Sequence, residues 1–505
     1  MRAVRTGVTG VHCVKGSRRG PEVTGLSHEF HTISAIFLAV RVKPLASQAT
    51  SGWAGNFHSK ISMNFQIKAT ALFPCVLLAS GLAWADARDY EDTSAKYQIT
   101  YNWQKHDVFA SPYATANSLS NQSERMYTFS ATAHWGKRLW EGGEVSFNPE
   151  ITQGIPFSGN LVGLGSFTNG EITRAGGSNP KIYRQRLFLR QTWNRGGGTE
   201  KVESDFNQMA GTMDKNRFVL TVGNFSTLDV FDDNAYAKDP RTQFMNWGSW
   251  TYAAYDYAAD ARGFGGGFAG EWYQGDWVIR FGRMSGPVRP NELPVDLALG
   301  KHYGDQVEIE HSHEIAGQPG KVRVLAWRNR AVTASFKDAT AYLQANPGAD
   351  PQTFFQVRNG PKIKYGLGVN LEQAVNDNVG LFLRAMKADG RTETYAFTEA
   401  DQSFATGLFF QGRAWGRADD SAGVAFMRHG LSSDRRKFLE AGGISYFIGD
   451  GALVYKPETI FEAFYSLGVS KGVWLTAGYQ RIQNPAYNAA RGPVNVVAIR
   501  AHAEF

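Results

Sequence analysis

Thiols are nearly missing from this chain: of its 505 residues two are cysteine, Cys13 and Cys75, and both precede Asp86. From Asp86 onward no disulfide framework, cysteine-ligated metal site or cysteine nucleophile can form. Long apolar runs are missing too. Past residue 85 nothing approaches the ~18 residues that a helical membrane span needs. A charge surplus is missing once the chain is divided. Nine of the 53 basic residues and two of the 46 acidic ones fall before Asp86, so 44 of each sign remain beyond it. The formal +7 therefore belongs to the leading segment and argues nothing for nucleic acid, whose binding needs a phosphate-neutralising surplus.

The leading segment has two parts. Residues 63–68 carry Lys68, residues 69–82 are apolar, and Ala83-Trp84-Ala85 is a small-x-small pattern. Residues 63–85 therefore read as a secretory signal whose removal leaves Asp86 first. Cys75 lies inside the apolar stretch and Val76 follows it, which is a poor lipoprotein acylation site. Residues 1–62 show no sustained periodicity and read as a non-native, disordered extension from a start codon set too early. An exported chain of this kind is a soluble periplasmic protein, an exported enzyme or an outer-membrane protein.

What is present in abundance is alternation. Tyr97, Ile99, Tyr101 and Trp103 interleave with polar residues, as do Tyr127, Phe129, Ala131, Ala133 and Trp135. Fourteen further segments follow, among them Tyr183/Leu187/Leu189/Trp193, Trp277/Ile279/Phe281, Ile363/Tyr365/Leu367/Val369/Leu371 and Val497/Ile499/Phe505. Period two with almost no 3.6-residue periodicity marks strands that have one apolar and one polar face. Sixteen such strands are predicted. Ile444–Ile448 is a further candidate, which makes eighteen the alternative count.

The links between strands alternate in length. Even-numbered links are short, as at residues 274–276 and 470–472, while odd-numbered ones are long, as at 152–182, 226–263 and 329–362. Short turns at one end, long loops at the other and an even strand count are the pattern of a transmembrane antiparallel β-barrel of the outer membrane, its short turns periplasmic and its long loops external. Residues 194–216 break the rule: that link should be short and is not. Tyr127 to Trp135 and Tyr183 to Trp193 place aromatics at distances that project, at ~3.3 Å per residue and ~45° tilt, to roughly 19–23 Å, close to the apolar band with its aromatic girdles. Gln185 and Gln191 fall on the presumed lipid face, where only closeness to the interfaces accounts for them. The chain ends on an alternating strand with a terminal aromatic, Phe505. Such an ending resembles the signal read by the outer-membrane barrel assembly machinery.

Several motifs resemble those of the carbohydrate-selective porins of the OprB type. They include Gly223 to Tyr236 with its Phe231-Asp232-Asp233-Asn234, Asp239-Pro240-Arg241 through Asn246-Trp247, Phe147-Asn148-Pro149-Glu150, Arg186 to Trp193, Gly304-Asp305-Gln306, and Gln480 to Pro485. The resemblance runs from about Tyr97 to Phe505 and implies a sixteen-stranded barrel that passes sugars by diffusion.

Parity assigns the lumen. Opposite the apolar face lie Arg184, Arg186 and Arg190 on the fourth strand, Glu150 on the third, Glu308 and Glu310 on the eighth, and Lys362 and Lys364 on the tenth. Cations facing carboxylates across a wet interior suit neutral polyhydroxylated solutes that exchange water for protein hydrogen bonds. A lumen that is merely balanced in charge would explain the polarity equally well. In porins, which these motifs resemble, the third external loop commonly folds inward, and the resemblance implies that the third long link, residues 226–263, brings Asp229, Asp232, Asp233, Asp239 and Arg241 to the arginines as a constriction. An exposed acidic loop or a cation site of carboxylates and carbonyls are the alternatives.

Enzyme-like patterns lack their context. Gly468-Val-Ser470-Lys-Gly472 matches G-x-S-x-G but joins two amphipathic strands rather than a strand and a helix. Gly263 to Gly267 has no P-loop lysine after it, and His311-Ser-His313 sits at a strand end beside a loop, where a solvated edge is the plainer reading than zinc ligation. Asp232-Asp233 as neighbours diverge, whereas glycosidase carboxylates flank one bond. The expectation is a passive outer-membrane channel without metal, cofactor or catalysis. Its partners are sugars, outer-membrane lipid and the assembly machinery, and the choice between monomer and homotrimer stays open. An outer-membrane barrel enzyme and a secreted sugar-binding protein are the rival classes.

Overall fold

A two-faced strand in lipid has no water to satisfy its edges, so each strand must pair on both sides and the sheet must close. The computed structural model describes residues 90–505 apart from Gly176 and Thr398; the expected extension and signal, residues 1–62 and 63–85, lie outside the described residues. The strands are β1 (Thr93–His106), β2 (Glu124–Trp140), β3 (Gly143–Ile155), β4 (Gly177–Asn194), β5 (Thr199–Val202), β6 (Gly211–Asp214), β7 (Arg217–Phe225), β8 (Gly265–Gln274), β9 (Trp277–Ser285), β10 (Tyr303–Ile315), β11 (Gln318–Val332), β12 (Pro361–Asn376), β13 (Val379–Ala388), β14 (Gln402–Gln411), β15 (Ser421–Gly430), β16 (Glu458–Ser470), β17 (Val473–Gln483) and β18 (Val494–Glu504). Sixteen of them form one closed barrel of neighbouring antiparallel strands, with β5 and β6 apart as a separate hairpin.

Closure joins the two ends of the sheet. Tyr101 of β1 lies opposite Ala501 of β18, and beyond the last strand residue Tyr97 and Phe505 exchange both backbone hydrogen bonds, at 3.0 and 2.8 Å. All sixteen alternating segments are barrel strands. Residues 444–448 are not a strand. Ile444, Phe447 and Ile448 are buried, and the Phe447 amide donates to Glu399, so this apolar segment packs within the loops rather than facing lipid. The eighteen-stranded barrel is thereby excluded, while the two extra strands occupy the link that broke the length rule.

That link leaves β4 through Gly196, Gly197 and Gly198, whose φ values of 79°, 83° and 84° favour glycine. It then forms β5 and β6 and returns to β7. The other links at this end are far shorter: residues 275–276, 316–317, 377–378 and 471–472 each join two strands directly. Gly468-Val-Ser470-Lys-Gly472 is one of these hairpin turns, between β16 and β17.

The outer surface is apolar. Val222, Ile279, Phe281, Val307, Ile309, Leu367 and Ile499 are all exposed, and Trp135, Trp140, Trp193, Trp272 and Trp277 ring the short-turn end. Gln191 sits at this rim, accepting from the Trp140 indole at 2.6 Å and donating to the carbonyls of Glu141 and Thr192. The interior is inverted: the largest fully buried side chains begin with Arg323, Arg384, Arg435 and Arg500. No described helix is long and apolar enough to cross a membrane.

A barrel closed by a continuous backbone ladder resists detergent until heated. Extracted protein should migrate faster on an unheated sodium dodecyl sulfate gel than after boiling, and should stay with the membrane without detergent; identical migration before and after boiling would contradict the closed barrel.

Candidate functional site

Polar inward faces leave the barrel wall with charges that need partners, and the long loops supply them. The loop between β7 and β8, residues 226–264, starts with a capping box in which Ser226 and Asp229 satisfy each other's backbone amides. It then crosses the barrel interior and is fastened on opposite walls. Arg186 of β4 grips Asp229 with two bonds of 2.7 and 2.6 Å. Arg384 of β13 donates to Asp232 at 2.8 Å and to the carbonyls of Ala237 and Ser249. Glu462 of β16 accepts from the amides of Met245 and Asn246, and Arg500 of β18 donates to the carbonyls of Pro240 and Gln243. Arg241 of the loop reaches back to Glu150 of β3 and to Glu171, both at 2.8 Å.

Between this loop and the wall formed by β1, β3, β4, β7, β8, β9 and β18 runs a cavity of about 590 Å³. Eight cationic side chains line it, from Arg174 to Arg280, against eight acidic ones, from Glu144 to Glu504. The two signs are partly sorted: the wall strands bring Arg186, Arg190, Arg217 and Arg280, and the loop brings Asp229, Asp233 and Asp239. Trp247, Trp250 and Tyr257 of the same loop add aromatic surface. Two arginines lie against rings, Arg262 over Tyr183 at 4.6 Å and Arg186 over Phe264 at 5.1 Å, an arrangement that holds a guanidinium in place while it stays charged.

Asp229 and Arg241 of the loop are held in their charged forms. Burial works against charge on Asp229, but Arg186 outweighs it and lowers the carboxyl below the usual carboxylate range. Burial likewise opposes charge on Arg241, and Glu171 and Glu150 more than compensate, raising its affinity for the proton.

The structure sorts the residues that parity selected. Arg186 and Arg190 line the cavity. Arg184 does not: it sits on the outer surface beside Leu187, Val222 and Leu297. The cause is a bulge. Asn148 pairs with Arg186 and Pro149 with Arg184, so Gln185 is an extra residue opposite a proline that cannot donate to the ladder. Gln185 therefore turns inward, donating to Glu150 at 2.8 Å, which also removes the difficulty of a glutamine in lipid. Glu150 is buried behind the lining, held by Thr132, Gln185 and Arg241. Glu308 and Glu310 lie beneath the loop: Glu308 accepts from the Asp232 amide, and Arg280 bridges both glutamates. Lys364 pairs with Asp256 at 2.8 Å, and Lys362 bonds Asn359 at the rim. Of the loop residues, Asp229, Asp233, Asp239 and Arg241 line the cavity, whereas Asp232 is fully buried in its pair with Arg384.

Several lining residues were overlooked. Arg217, Glu271 and Arg280 are on the inward parity of their strands, so alternation alone could have found them. Glu171 and Arg174 from the loop between β3 and β4, and residues 202–209 from the hairpin link, carry no periodic signal.

A closed antiparallel barrel, apolar without and charged within, its long loops packed into the lumen, defines the class: an outer-membrane channel of the porin kind. Residues 116–505 match the carbohydrate-selective porin family, OprB, and the chain belongs to that family. The high-pH structure of Pseudomonas putida OprB superposes with a TM-score of 0.61 at 14% identity, covering 82% of this chain and 94% of that one, a likeness of fold. The low-pH structure of Pseudomonas putida OprB gives 0.44 at 11% identity over 87% and 98%. Pseudomonas aeruginosa OccK2 (OpdF) gives 0.40 at 9% over 82% and 99%. No curated protein matches the chain.

Removing one member of a buried ion pair leaves the other charge stranded, at about 3–5 kcal/mol. Arg384→Ala should therefore lower thermal stability in detergent and loosen the loop, read as a lower unfolding temperature and noisier single-channel current. Because the Asp229 carboxyl is lowered, its anchor to Arg186 is complete above the ordinary carboxylate value and is lost only as pH falls through the lowered one. Asp229→Asn should thus change conductance by the same factor at about pH 7 and at about pH 5.

Proposed function

We propose that this protein admits neutral sugars to the periplasm by passive diffusion through the eccentric cavity between residues 226–264 and the wall, the loop acting as the constriction. The observation that carries this reading is the lining of eight cationic and eight acidic side chains, both signs coming from wall and loop. A balanced lining concentrates neither anions nor cations. It does offer hydroxyl-bearing solutes donors and acceptors around the passage, replacing water as the solute passes. Of the arginines that parity selected, Arg186 and Arg190 share this lining with Asp229, Asp233 and Asp239 of the loop.

Membership of a carbohydrate-selective family supports the solute class. Export through cleavage of residues 63–85 and assembly through the β18 strand ending at Phe505 complete the reading; the pairing of Phe505 with Tyr97 supports a role for that strand in closing the barrel.

Liposome swelling with neutral sugars of increasing size, beside charged solutes of equal size, tests the proposal. Neutral sugars should enter faster than size-matched ions. Arg186→Ala should shift the channel towards cations by at least about threefold, roughly 0.6 kcal/mol, because Asp229 is then unpaired, and Asp229→Asn should shift it the other way. Uptake that follows size alone in all three proteins would leave a general pore in place of a selective one.

A further inference from the structure

The link that should be short carries a β-hairpin of its own at the short-turn end. Its hairpin does not hang away from the barrel. Residues 202–209, between β5 and β6, fold back across the mouth, and Val202, Asp205, Phe206, Asn207, Gln208 and Met209 all line the same cavity as Arg186 and Asp229. On the rule that short turns are periplasmic, this segment stands at the exit, at the opposite end of β7 from the loop over residues 226–264.

The segment is fastened on the sides where the cavity runs. Lys96 of β1 donates to the carbonyls of Asp205 and, at 2.7 Å, Gln208. Asn148 of β3 donates to the Asn207 side chain at 2.6 Å. Arg138 of β2 donates to the Ala210 carbonyl at 2.8 Å, and the Ala210 amide donates to Glu91 at 2.8 Å. Arg217 at the start of β7 pairs with Glu200 at 2.7 Å. The wall is recessed to receive it: a Cβ at Gly136 of β2 would stand 2.9 Å from the Met209 sulfur. An ornamental turn would need none of these bonds.

The chemistry within reach of Phe206 suits a sugar. Its half-buried ring packs against His134 at 5.9 Å between centroids, leaving the rest of its surface to the cavity. Arg190, tied to Glu144 at 3.1 Å, and the side chains of Gln98, Asp205 and Gln208 share the same lining. An aromatic face beside paired donors and acceptors is what a pyranose presents contacts for: apolar C–H groups on one side and hydroxyls around the rim.

We propose that the β5–β6 hairpin forms a second, periplasmic constriction of the pore, and that Phe206 is its stacking platform for a neutral sugar leaving the channel. This rests on the sugar-channel reading above and adds a site to it. Residues 226–264 admit the solute, and residues 202–209 set the size of the exit and hold the solute once more before release.

The test compares the full-length channel with two variants in planar bilayers and liposomes. In the first, residues 196–215 are replaced by Asn-Gly, a two-residue turn that suits antiparallel neighbours. In the second, Phe206→Ala leaves the hairpin intact. The first should at least double ion conductance and let larger oligosaccharides drive swelling. The second should weaken the block of ion current by glucose several-fold while changing open-channel conductance less. Unchanged conductance and size limit in the first variant, in protein that remains heat-modifiable, would overturn the constriction. Unchanged block in the second would overturn the platform. If the unaltered channel passes no sugar, the sugar-channel reading fails by itself, while the conductance of the hairpin-less variant still decides whether the exit is narrowed.

Discussion

Backbone hydrogen bonding in a medium without water is the constraint from which the rest follows. Each lipid-facing strand must spend both edges on neighbours, so the sheet closes, and closure fixes parity: one side chain out, the next in. Once Ile279, Phe281, Ile363 and Tyr365 are committed to lipid, their neighbours Arg280 and Lys364 have no choice but the interior. The charged lumen is therefore less a separate design than the complement of the apolar exterior, and what distinguishes one channel from another is how those inward charges are neutralised.

Here they are neutralised in two ways. On the β10–β13 side, Arg323 meets Glu310 and Glu372, Arg384 meets Asp232 and Lys364 meets Asp256, so wall and loop cancel locally and that half of the barrel is filled. On the side of β4 and β7 to β9, the arginines line open space, and Arg186, while gripping Asp229, still faces the cavity. Buried pairs of this kind add little net stability over an apolar filling, but breaking one is costly. Their effect is to fix where the loop lies, and so where the pore is left.

Much of this was legible from the chain. The sixteen strands and the alternation of short and long links follow from period two and from link length, because lipid enforces alternation along a strand, whereas the inward course of residues 226–264 was implied by the resemblance to porins. Which inward residues border the pore was not legible. Glu308, Glu310 and Lys364 have the same parity as Arg280, and only the path of a loop with no periodicity decides that the fourth borders the cavity and the other three do not. Parity also carried Arg184 to the wrong face, since a count by twos cannot register the extra residue of a bulge.

The two departures from the pattern turn out to be informative rather than accidental. Pro149 removes one ladder donor, β4 answers with an extra residue, and the shift places Gln185 and Arg186 side by side on the inner wall, one bonded to Glu150 and the other to Asp229. The Gly196-Gly197-Gly198 turn abandons the short-link rule and sends residues 202–209 back into the mouth. Sequences that specify one fold are consistent at every level, and the places where local rules are broken tend to be those where something besides folding is at stake. In this barrel both breaks border the same cavity, one halfway along its wall and one at its end.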